Sequence, residues 1–327
     1  MTSGRAAAIC LLLATAPLSP AGGVDPGYRL QKIGNGVWAA IASDDGLAGG
    51  NAGFVIGGDG VAVIDTFQDP RPAQALLLEI RKLTPLPIRF VVNTHYHLDH
   101  VSGNGVFAAA GATIVAQRNV RAWIRTENVK LLDPPVTPEK MALLRTLVLP
   151  TVVYDRHVDL YLGSRKLSVR YYPGHTGGDS VVWLPDARVV FCGDMLWKDH
   201  VPNLIDSTTQ AWVGSLDAMR KDYGQAVWVP GHGGVADGRD VQTFRTYLVE
   251  LREGVGRERT AGHTGEAMTN ALLPDLRSKY GGWGFFSDYA AAGIEQTDRE
   301  MEGTKKVPAP AAEGEWRDLR EGAKSNP

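Results

Sequence analysis

Cysteine is almost absent from this sequence, with two residues in a chain of 327. Cys10 lies in an apolar N-terminal segment that we expect to be removed, which leaves Cys192 alone. A single cysteine cannot form an internal disulfide bond, so a disulfide-stabilised fold is excluded for the mature chain. Cys192 follows the apolar residues 189–191, and its predicted role is packing within a strand.

The sequence also lacks an excess of positive charge and any long apolar run after residue 20. Its net charge is −2 and its pI is near 6.5, which argues against a nucleic-acid partner. Without a further apolar run, we expect no stable membrane insertion once the N-terminal segment is removed. The chain shows no internal repeat and no signal of its oligomeric state, and its length allows one or two domains with a large core.

The first 21 residues have the pattern of a secretory signal peptide. Arg5 precedes an apolar stretch at residues 6–18, and Ser19, Pro20 and Ala21 follow it. A basic start, a short apolar core and small residues are typical of a segment cleaved on export, and we place the cleavage near Ala21. A buried N-terminal helix is the alternative interpretation. The predicted location is therefore the periplasm or the outside of the cell.

Metal-binding residue types are concentrated in one short stretch. His95, His97, Asp99 and His100 fall within six residues, directly after the apolar residues 88–92. So dense a set of nitrogen and oxygen donors is typical of a site for zinc or a similar divalent metal. The end of a buried strand is also where open α/β folds build their sites. The alternative, a solvated histidine-rich turn, does not explain the placement after a strand.

Four more ligand-type residues each follow an apolar strand further along the chain. They are Asp65, His175, Asp194 and His232. Taken singly, His175 or His232 is as well explained by a buried histidine that satisfies its hydrogen bonds within the core. Their shared position at strand ends favours a common site.

The order of predicted elements indicates a layered α/β fold. Strands are predicted early and again after residue 158, and helices separate them, which is the pattern of sheets covered by helices. The middle of the chain is predicted to be helical with a break at Pro134 and Pro135, and to lie over the site. The predicted strands are 37–41, 53–56, 61–65, 88–92, 112–116, 158–183 in several pieces, 189–192 and 226–229; the clearest helices are 72–83, 103–110, 209–223 and 240–252.

At this point the chain resembles the metallo-β-lactamase-fold hydrolase superfamily, over residues 36–233 and with the motifs in the family's order. The resemblance implies an αββα sandwich with two metal positions at one edge. With the N-terminal pattern and the polar, proline-containing end of the chain, this divides the sequence into a signal peptide at residues 1–21, the catalytic domain at 28–255, a helical C-terminal extension at 256–303 and a disordered tail at 304–327. The resemblance also implies that His95, His97 and His175 bind the first metal, that Asp99, His100 and His232 bind the second, that Asp194 bridges the two, and that Asp65 orients a ligand from behind.

The predicted cofactor is a pair of zinc ions, although iron and manganese also suit this donor set. Two metals can share a hydroxide, and lowering the pKa of water from 15.7 to about 7 corresponds to roughly 12 kcal/mol in hydroxide availability. We assign Asp99 a catalytic role as a proton carrier toward the leaving group. Tyr96 lies between two ligands and His200 lies six residues after Asp194, and both are predicted to contact a small-molecule substrate.

Three functions remain open. Lactam hydrolysis fits the export signal and the histidine set, but many class B β-lactamases place a cysteine at the second metal, where this chain has Asp194. Ester or thioester hydrolysis of the glyoxalase II type fits the complete ligand set, but those enzymes work mainly in the cytosol and no basic cluster suits glutathione. A non-catalytic metal-binding protein would be expected to lose a ligand, and none is lost. The preferred prediction is an exported dinuclear zinc hydrolase of a small carbonyl substrate.

Overall fold

The computed structural model of the protein describes residues 25–132 and 134–312. The predicted signal peptide and the last fifteen residues of the predicted tail lie outside the described residues. The strands are β1 Tyr28–Gly34, β2 Val37–Ala42, β3 Ala52–Ile56, β4 Val61–Ile64, β5 Ile88–Asn93, β6 Thr113–Gln117, β7 Val152–Tyr154, β8 His157–Leu162, β9 Arg165–Tyr171, β10 Ser180–Leu184, β11 Val189–Trp197 and β12 Val227–His232. The helices are α1 Pro70–Leu83, α2 Leu98–Val101, α3 Asn104–Ala109, α4 Arg118–Trp123, a 3-10 helix Glu127–Leu131, α5 Pro138–Thr146, α6 Thr209–Tyr223, α7 Gly238–Thr260, α8 Gly265–Tyr280 and α9 Phe286–Glu302.

Two sheets pack face to face. The first has the order β1-β2-β3-β4-β5-β6-β7 and the second the order β12-β11-β10-β9-β8. Alternate residues along the strands divide between two cores, as the two-residue period of a strand requires. Val92 and Val182 point into the core between the sheets, whereas Val91 packs under the helices of the first sheet and Val181 under those of the second. The predicted αββα sandwich is therefore confirmed.

The pairing of the strands brings their ends to one edge. Strands β4 and β5 are parallel neighbours in the first sheet, and β11 and β12 are parallel neighbours in the second. Carboxyl ends of parallel neighbours emerge on the same side of a sheet, and this is where such folds place ligand sites. Asp65 follows β4, the histidine cluster follows β5, and His232 ends β12.

Strand β11 is longer than the sequence pattern predicts. Residues 189–192 are the apolar run that marks it, but the strand continues to Trp197 with every residue buried. The pairing with β12 shifts register at Gly193, which has a φ of 48° that favours glycine. Asp194 therefore lies inside a buried strand. Because it is polar, it interrupts the run of apolar residues by which a buried strand is predicted from sequence.

The C-terminal helices belong to the same folded body as the sandwich. Helix α7 runs through the predicted domain boundary at residues 255–256 without a break, so that boundary is wrong. Phe244 of α7 and Ile294 of α9 share a core with Trp212 of α6 and Trp228 of β12. The helical extension itself, α8 and α9, is confirmed. No helix within the described ranges is long and apolar enough to cross a membrane.

Residues 304–312 of the predicted disordered tail are held against the domain. The Lys305 ammonium donates to the Leu204 and Ser207 carbonyls at 2.6 and 2.7 Å. Trp123 Nε1 donates to the Ala309 carbonyl at 3.0 Å, so the segment reaches from the extension to α4. The prediction of disorder is wrong for these residues because specific side chains satisfy their backbone groups, which polar composition alone does not reveal.

Candidate metal centre

The structure brings all seven predicted metal ligands together at the edge where the strands end. His95 and His97 lie in the loop after β5, and Asp99 and His100 lie in the short helix α2 that follows. His175 comes from the loop between β9 and β10, Asp194 from β11 and His232 from β12. They form two groups, His95, His97, His175 and Asp194 in one and Asp99, His100, Asp194 and His232 in the other, and the ligand atoms within each group lie within 4.8 Å of one another.

Asp194 is common to the two groups. Its Oδ2 lies 3.1 Å from His175 Nε2 and 3.6 Å from His95 Nε2. Its Oδ1 lies 3.1 Å from His100 Nε2. One carboxylate therefore presents an oxygen to each group, which is the arrangement of a carboxylate that bridges two metals.

The remaining contacts complete the two groups. His97 Nδ1 lies 3.0 Å from His175 Nε2 in the first group. In the second, Asp99 Oδ2 lies 3.2 Å from His232 Nε2 and 3.3 Å from His100 Nε2. Imidazole nitrogens and carboxylate oxygens at such separations converge on a small volume, as ligands of a metal ion do.

Several of these ligand atoms have no hydrogen-bond partner, and a metal would satisfy them. His95 Nε2, His100 Nε2, His232 Nε2 and Asp194 Oδ1 are all buried, and although some of them lie close to one another, none makes a hydrogen bond of acceptable geometry among the described residues. An unsatisfied buried polar atom costs about 1–3 kcal/mol, so four in one place need an explanation. The donor set suits zinc, and also iron or manganese. The residues present thus fit two divalent metal ions.

Asp65 lies behind the second group. Its Oδ2 is 2.9 Å from His100 Nδ1, the ring nitrogen that faces away from Asp194. The same carboxylate accepts hydrogen bonds from the Thr94 backbone N–H at 2.8 Å and from the Thr94 hydroxyl at 2.7 Å. A proton on His100 Nδ1 leaves Nε2 free as a metal ligand, so Asp65 fixes both the tautomer and the orientation of the ring.

Two glycines make room for the ligands. A Cβ at Gly231 would lie 1.8 Å from Asp194 Oδ1, and one at Gly50 would lie 2.8 Å from His100 Nε2. Both distances are shorter than non-bonded atoms tolerate. Gly231 is therefore required by the close approach of β12 to the shared carboxylate.

The two groups differ in electrostatics when no metal is bound. Burial lowers the pKa of His95 and of His97, so these two histidines of the first group are neutral. Burial has the same effect on His232, but the Asp194 and Asp99 carboxylates outweigh it and raise the pKa of His232 to about 9. Histidine nitrogens must be deprotonated to bind a metal, so the two groups start from different protonation states.

Asp206, which no sequence motif marks, lies behind the first group. Asp206 is buried in the loop between β11 and α6, and its Oδ2 lies 3.2 Å from His97 Nε2. The Tyr96 hydroxyl and the Lys130 ammonium also donate to this carboxylate. The sequence around it, Ile205-Asp206-Ser207, follows no apolar strand, and its only signal is an acidic residue shortly before a helix.

Tyr96 and His200 do not occupy the positions predicted for substrate contacts. Tyr96 is fully buried behind the first group, where its hydroxyl donates a hydrogen bond to the Asp206 carboxylate. His200 Nδ1 lies 2.6 Å from the Lys198 carbonyl and His200 Nε2 lies 3.3 Å from Asp44 Oδ1. Neither side chain lines the cavity above the ligands, because adjacency in sequence to a ligand does not determine which way a side chain points.

The ligands form the floor of a cavity of about 470 Å³. One side of the cavity is aromatic, and the Trp197 ring stacks on the His232 ring with centroids 3.9 Å apart. Phe285 and Tyr289 come from the C-terminal extension and contact Trp197. The other lining residues are Asp44, Asp45, Gly46, Gly49, Gln68, Leu98, Leu131 and Asn203. Because Leu131 lines the cavity, the predicted helical middle segment reaches the site. Phe285 and Tyr289 show that the C-terminal extension forms part of the cavity wall.

Comparison with known proteins decides the family. The family model of the metallo-beta-lactamase superfamily matches residues 45–232, more than half of the chain and all seven ligands. The chain belongs to this superfamily. A metallo-beta-lactamase from Pontibacter korlensis has a similar fold, with a TM-score of 0.57 and 23% identity over 68% of this chain and 99% of that one. The predicted membership of a superfamily of metal-dependent hydrolases is confirmed.

The proteins that this chain resembles in sequence carry the names of different enzymes. It is 26% identical to a linear primary-alkylsulfatase of a Pseudomonas strain, over 56% of this chain and 41% of that protein. It is 27% identical to a hydroxyacylglutathione hydrolase of Methylococcus capsulatus, over 57% and 64% of the two chains. It is 25% identical to a type 2 metallo-beta-lactamase of a Bacillus strain, over 64% and 77%. The chain thus spans less than two thirds of the first two relatives, and such low identities do not transfer a substrate.

Proposed function

We propose that this protein is an exported, dinuclear zinc hydrolase that cleaves a small carbonyl substrate. The observation that carries the proposal is the complete double ligand set around Asp194, whose two oxygens serve the two groups. No ligand position is lost, which separates the protein from a non-catalytic metal-binding relative. Export rests on the N-terminal sequence pattern alone.

The ligand residues would bind metal, Asp99 would also transfer a proton, and the aromatic residues would pack against the substrate. Bound zinc ions would supply a nucleophilic hydroxide at neutral pH and polarise the carbonyl group of the substrate. Asp99 lines the cavity and its side chain is 23% exposed, so it is the carboxylate that can pass a proton to a leaving group. The aromatic side of the cavity excludes water from the carbonyl and packs against the rest of the substrate.

Two carbonyl substrate classes are supported by the names of the relatives, beside the alkyl sulfate in the name of the alkylsulfatase. Lactam hydrolysis is named in the type 2 metallo-beta-lactamases and thioester-type hydrolysis in the hydroxyacylglutathione hydrolases, at nearly equal identity. Both reactions attack a carbonyl carbon with water, so the same metal centre serves either. The choice between them depends on the cavity above the metals rather than on the ligands.

The proposal is tested by metal analysis and turnover together. The mature protein is purified, its metal content measured, and the zinc-loaded form assayed on lactams, lactones, esters and thioesters. We expect about two metals per chain and hydrolysis of at least one class. His95→Ala should lose metal and activity, whereas His263→Ala, a matched change at an exposed histidine between α7 and α8, should keep both. Two bound metals with no turnover on any class would favour the non-catalytic alternative.

A further inference from the structure

The mouth of the cavity carries negative charge. Asp44 and Asp45 lie in the loop between β2 and β3, and both line the cavity from exposed positions. Asp99 and Asp194 are also acidic, but they belong to the donor set, where two divalent ions would bring four positive charges against their two negative ones. With metal bound, the floor of the cavity is therefore not anionic, and the negative charge that a substrate meets away from the metals is that of the two rim carboxylates.

No lysine or arginine of the described chain lines this cavity to offset the rim. The two lysines nearest in sequence to lining residues are already engaged. Lys130, next to Leu131, is held by Asp206 and Glu127. Lys198, next to Trp197, donates to Asp240 at 3.1 Å and to the Val235 carbonyl at 3.1 Å. His200 contacts Asp44 but is not one of the lining residues, and only 10% of the His200 side chain is exposed.

The side of the cavity that faces the second ligand group is apolar. Trp197, Phe285 and Tyr289 form one wall, and Leu98 and Leu131 lie among the other lining residues. Such surfaces bind apolar or aromatic groups by removing them from water, and aromatic faces also attract cations. A carboxylate at the part of the substrate away from the metals would find no cationic side chain among the lining residues and would be repelled by the rim.

We propose that the substrate is an ester or lactone with an apolar group beside the scissile bond and an uncharged or cationic group at the cavity mouth, and that compounds bearing a carboxylate at the mouth are disfavoured. This inference rests on the proposed hydrolase function. Water adds its oxygen to the carbonyl carbon, the bond to the leaving alkoxide breaks, and the alkoxide takes a proton, which gives an acid and an alcohol. Glutathione thioesters carry carboxylates remote from the scissile bond, so the cavity ranks them below neutral esters.

The test compares matched substrates on the zinc-loaded protein. Phenyl esters of the same size are assayed with an uncharged, a trimethylammonium or a carboxylate group on the acyl chain. We expect kcat/KM for the uncharged and cationic esters to exceed that for the anionic ester by about tenfold or more at low salt, and the gap to narrow at high salt. An anionic ester cleaved as well as the uncharged one would overturn the proposal.

Rim variants identify the residues responsible. Asp44→Lys and Asp45→Lys should raise kcat/KM for the anionic ester and lower it for the cationic one, with the uncharged ester little changed. Asp275→Lys, the same charge change at an exposed position of α8 outside the cavity, should alter none of the three ratios. Equal effects from Asp275→Lys and Asp44→Lys would show that only the overall charge matters, and would contradict a selective rim.

A binding measurement separates this inference from the hydrolase proposal. Calorimetric titration of the zinc-loaded protein with benzenesulfonamide and its 4-trimethylammonio and 4-carboxy derivatives, which share one zinc-binding group and differ in the charge at the other end, requires no turnover. Weaker binding of the carboxylate than of the other two supports the inference even where no ester is cleaved. Equal or tighter binding of the carboxylate contradicts it even where esters are cleaved.

Discussion

Asp206 Oδ2 lies 3.2 Å from His97 Nε2, on the side of the imidazole ring opposite the Nδ1 that faces His175. A carboxylate in this position holds a proton on Nε2 and so leaves Nδ1 as a metal ligand. Lys130 and Tyr96 fix the carboxylate in turn, and the carboxylate itself is buried together with Tyr96 and His97. The first ligand group is therefore oriented from behind by Asp206, as the second is by Asp65.

Replacing Asp206 by asparagine should weaken metal binding at the first group. Asp206→Asn keeps the size of the side chain but removes the charge that orients His97, and loss of such a partner typically costs about 10–100-fold in metal affinity or activity. Competition with a chromophoric chelator gives the affinity, and the visible spectrum of the cobalt-substituted protein reports the ligand geometry. Asp186→Asn, at an exposed aspartate paired with Arg165, is the control. An unchanged cobalt spectrum and affinity in Asp206→Asn would contradict this role.

The sequence predicts the sheets and the ligands well because both have strong local signals. Alternating apolar residues mark the strands, and ligands at strand ends follow from the parallel pairing of β4 with β5 and of β11 with β12. Asp206 and the rim acids have no such signal, because their roles depend on which loops meet across the fold. Phe285 is nearly 90 residues from Trp197 in sequence, and only the packing of α9 brings the two rings to 6.0 Å.

Replacing Gly231 by alanine should disrupt the shared carboxylate. The new Cβ would fall 1.8 Å from Asp194 Oδ1, so either Asp194 or strand β12 must move. We expect loss of metal from both groups and loss of activity, with destabilisation of about 1–3 kcal/mol from overpacking. Metal content and thermal unfolding measure the two effects. Gly234→Ala is the matched control, because a Cβ there meets nothing within 4 Å, and equal losses in the two variants would count against the steric explanation.

Shortening Phe285 should affect substrate binding more than metal binding. Phe285→Ala removes part of the aromatic wall and an edge contact with the His232 ring, whose centroid lies 6.0 Å away, but it removes no donor atom, so metal content should remain that of the parent. Lost burial of about 1–2 kcal/mol predicts a rise in KM of roughly 5–30-fold for substrates with an apolar group, with a smaller change in kcat. Tyr161→Ala, at an exposed aromatic residue of β8, controls for general effects of truncation. If Phe285→Ala had the same KM as the parent for every member of a series of esters with longer acyl chains, the aromatic wall would not contribute to substrate binding.

The attachment of residues 304–312 should make stability depend on pH through Lys305. Burial lowers the pKa of Lys305 to about 8, against an ordinary value of 10.5. Between these two values the unfolded chain binds more protons than the folded protein, so the free energy of unfolding should rise with pH, by at most roughly 3 kcal/mol.

Lys305→Met removes the titrating group, so the variant should lack this rise between pH 8 and 10.5, although it also loses the hydrogen bonds to Leu204 and Ser207. Urea unfolding of both proteins at several pH values gives the difference between their slopes, which is independent of the other titrating groups. Lys306→Met, at the exposed neighbouring lysine, should keep the slope of the parent. Parallel pH profiles for Lys305→Met and the parent would mean that Lys305 keeps an ordinary pKa and that the segment is attached by its backbone contacts to Trp123 and Asn119 alone.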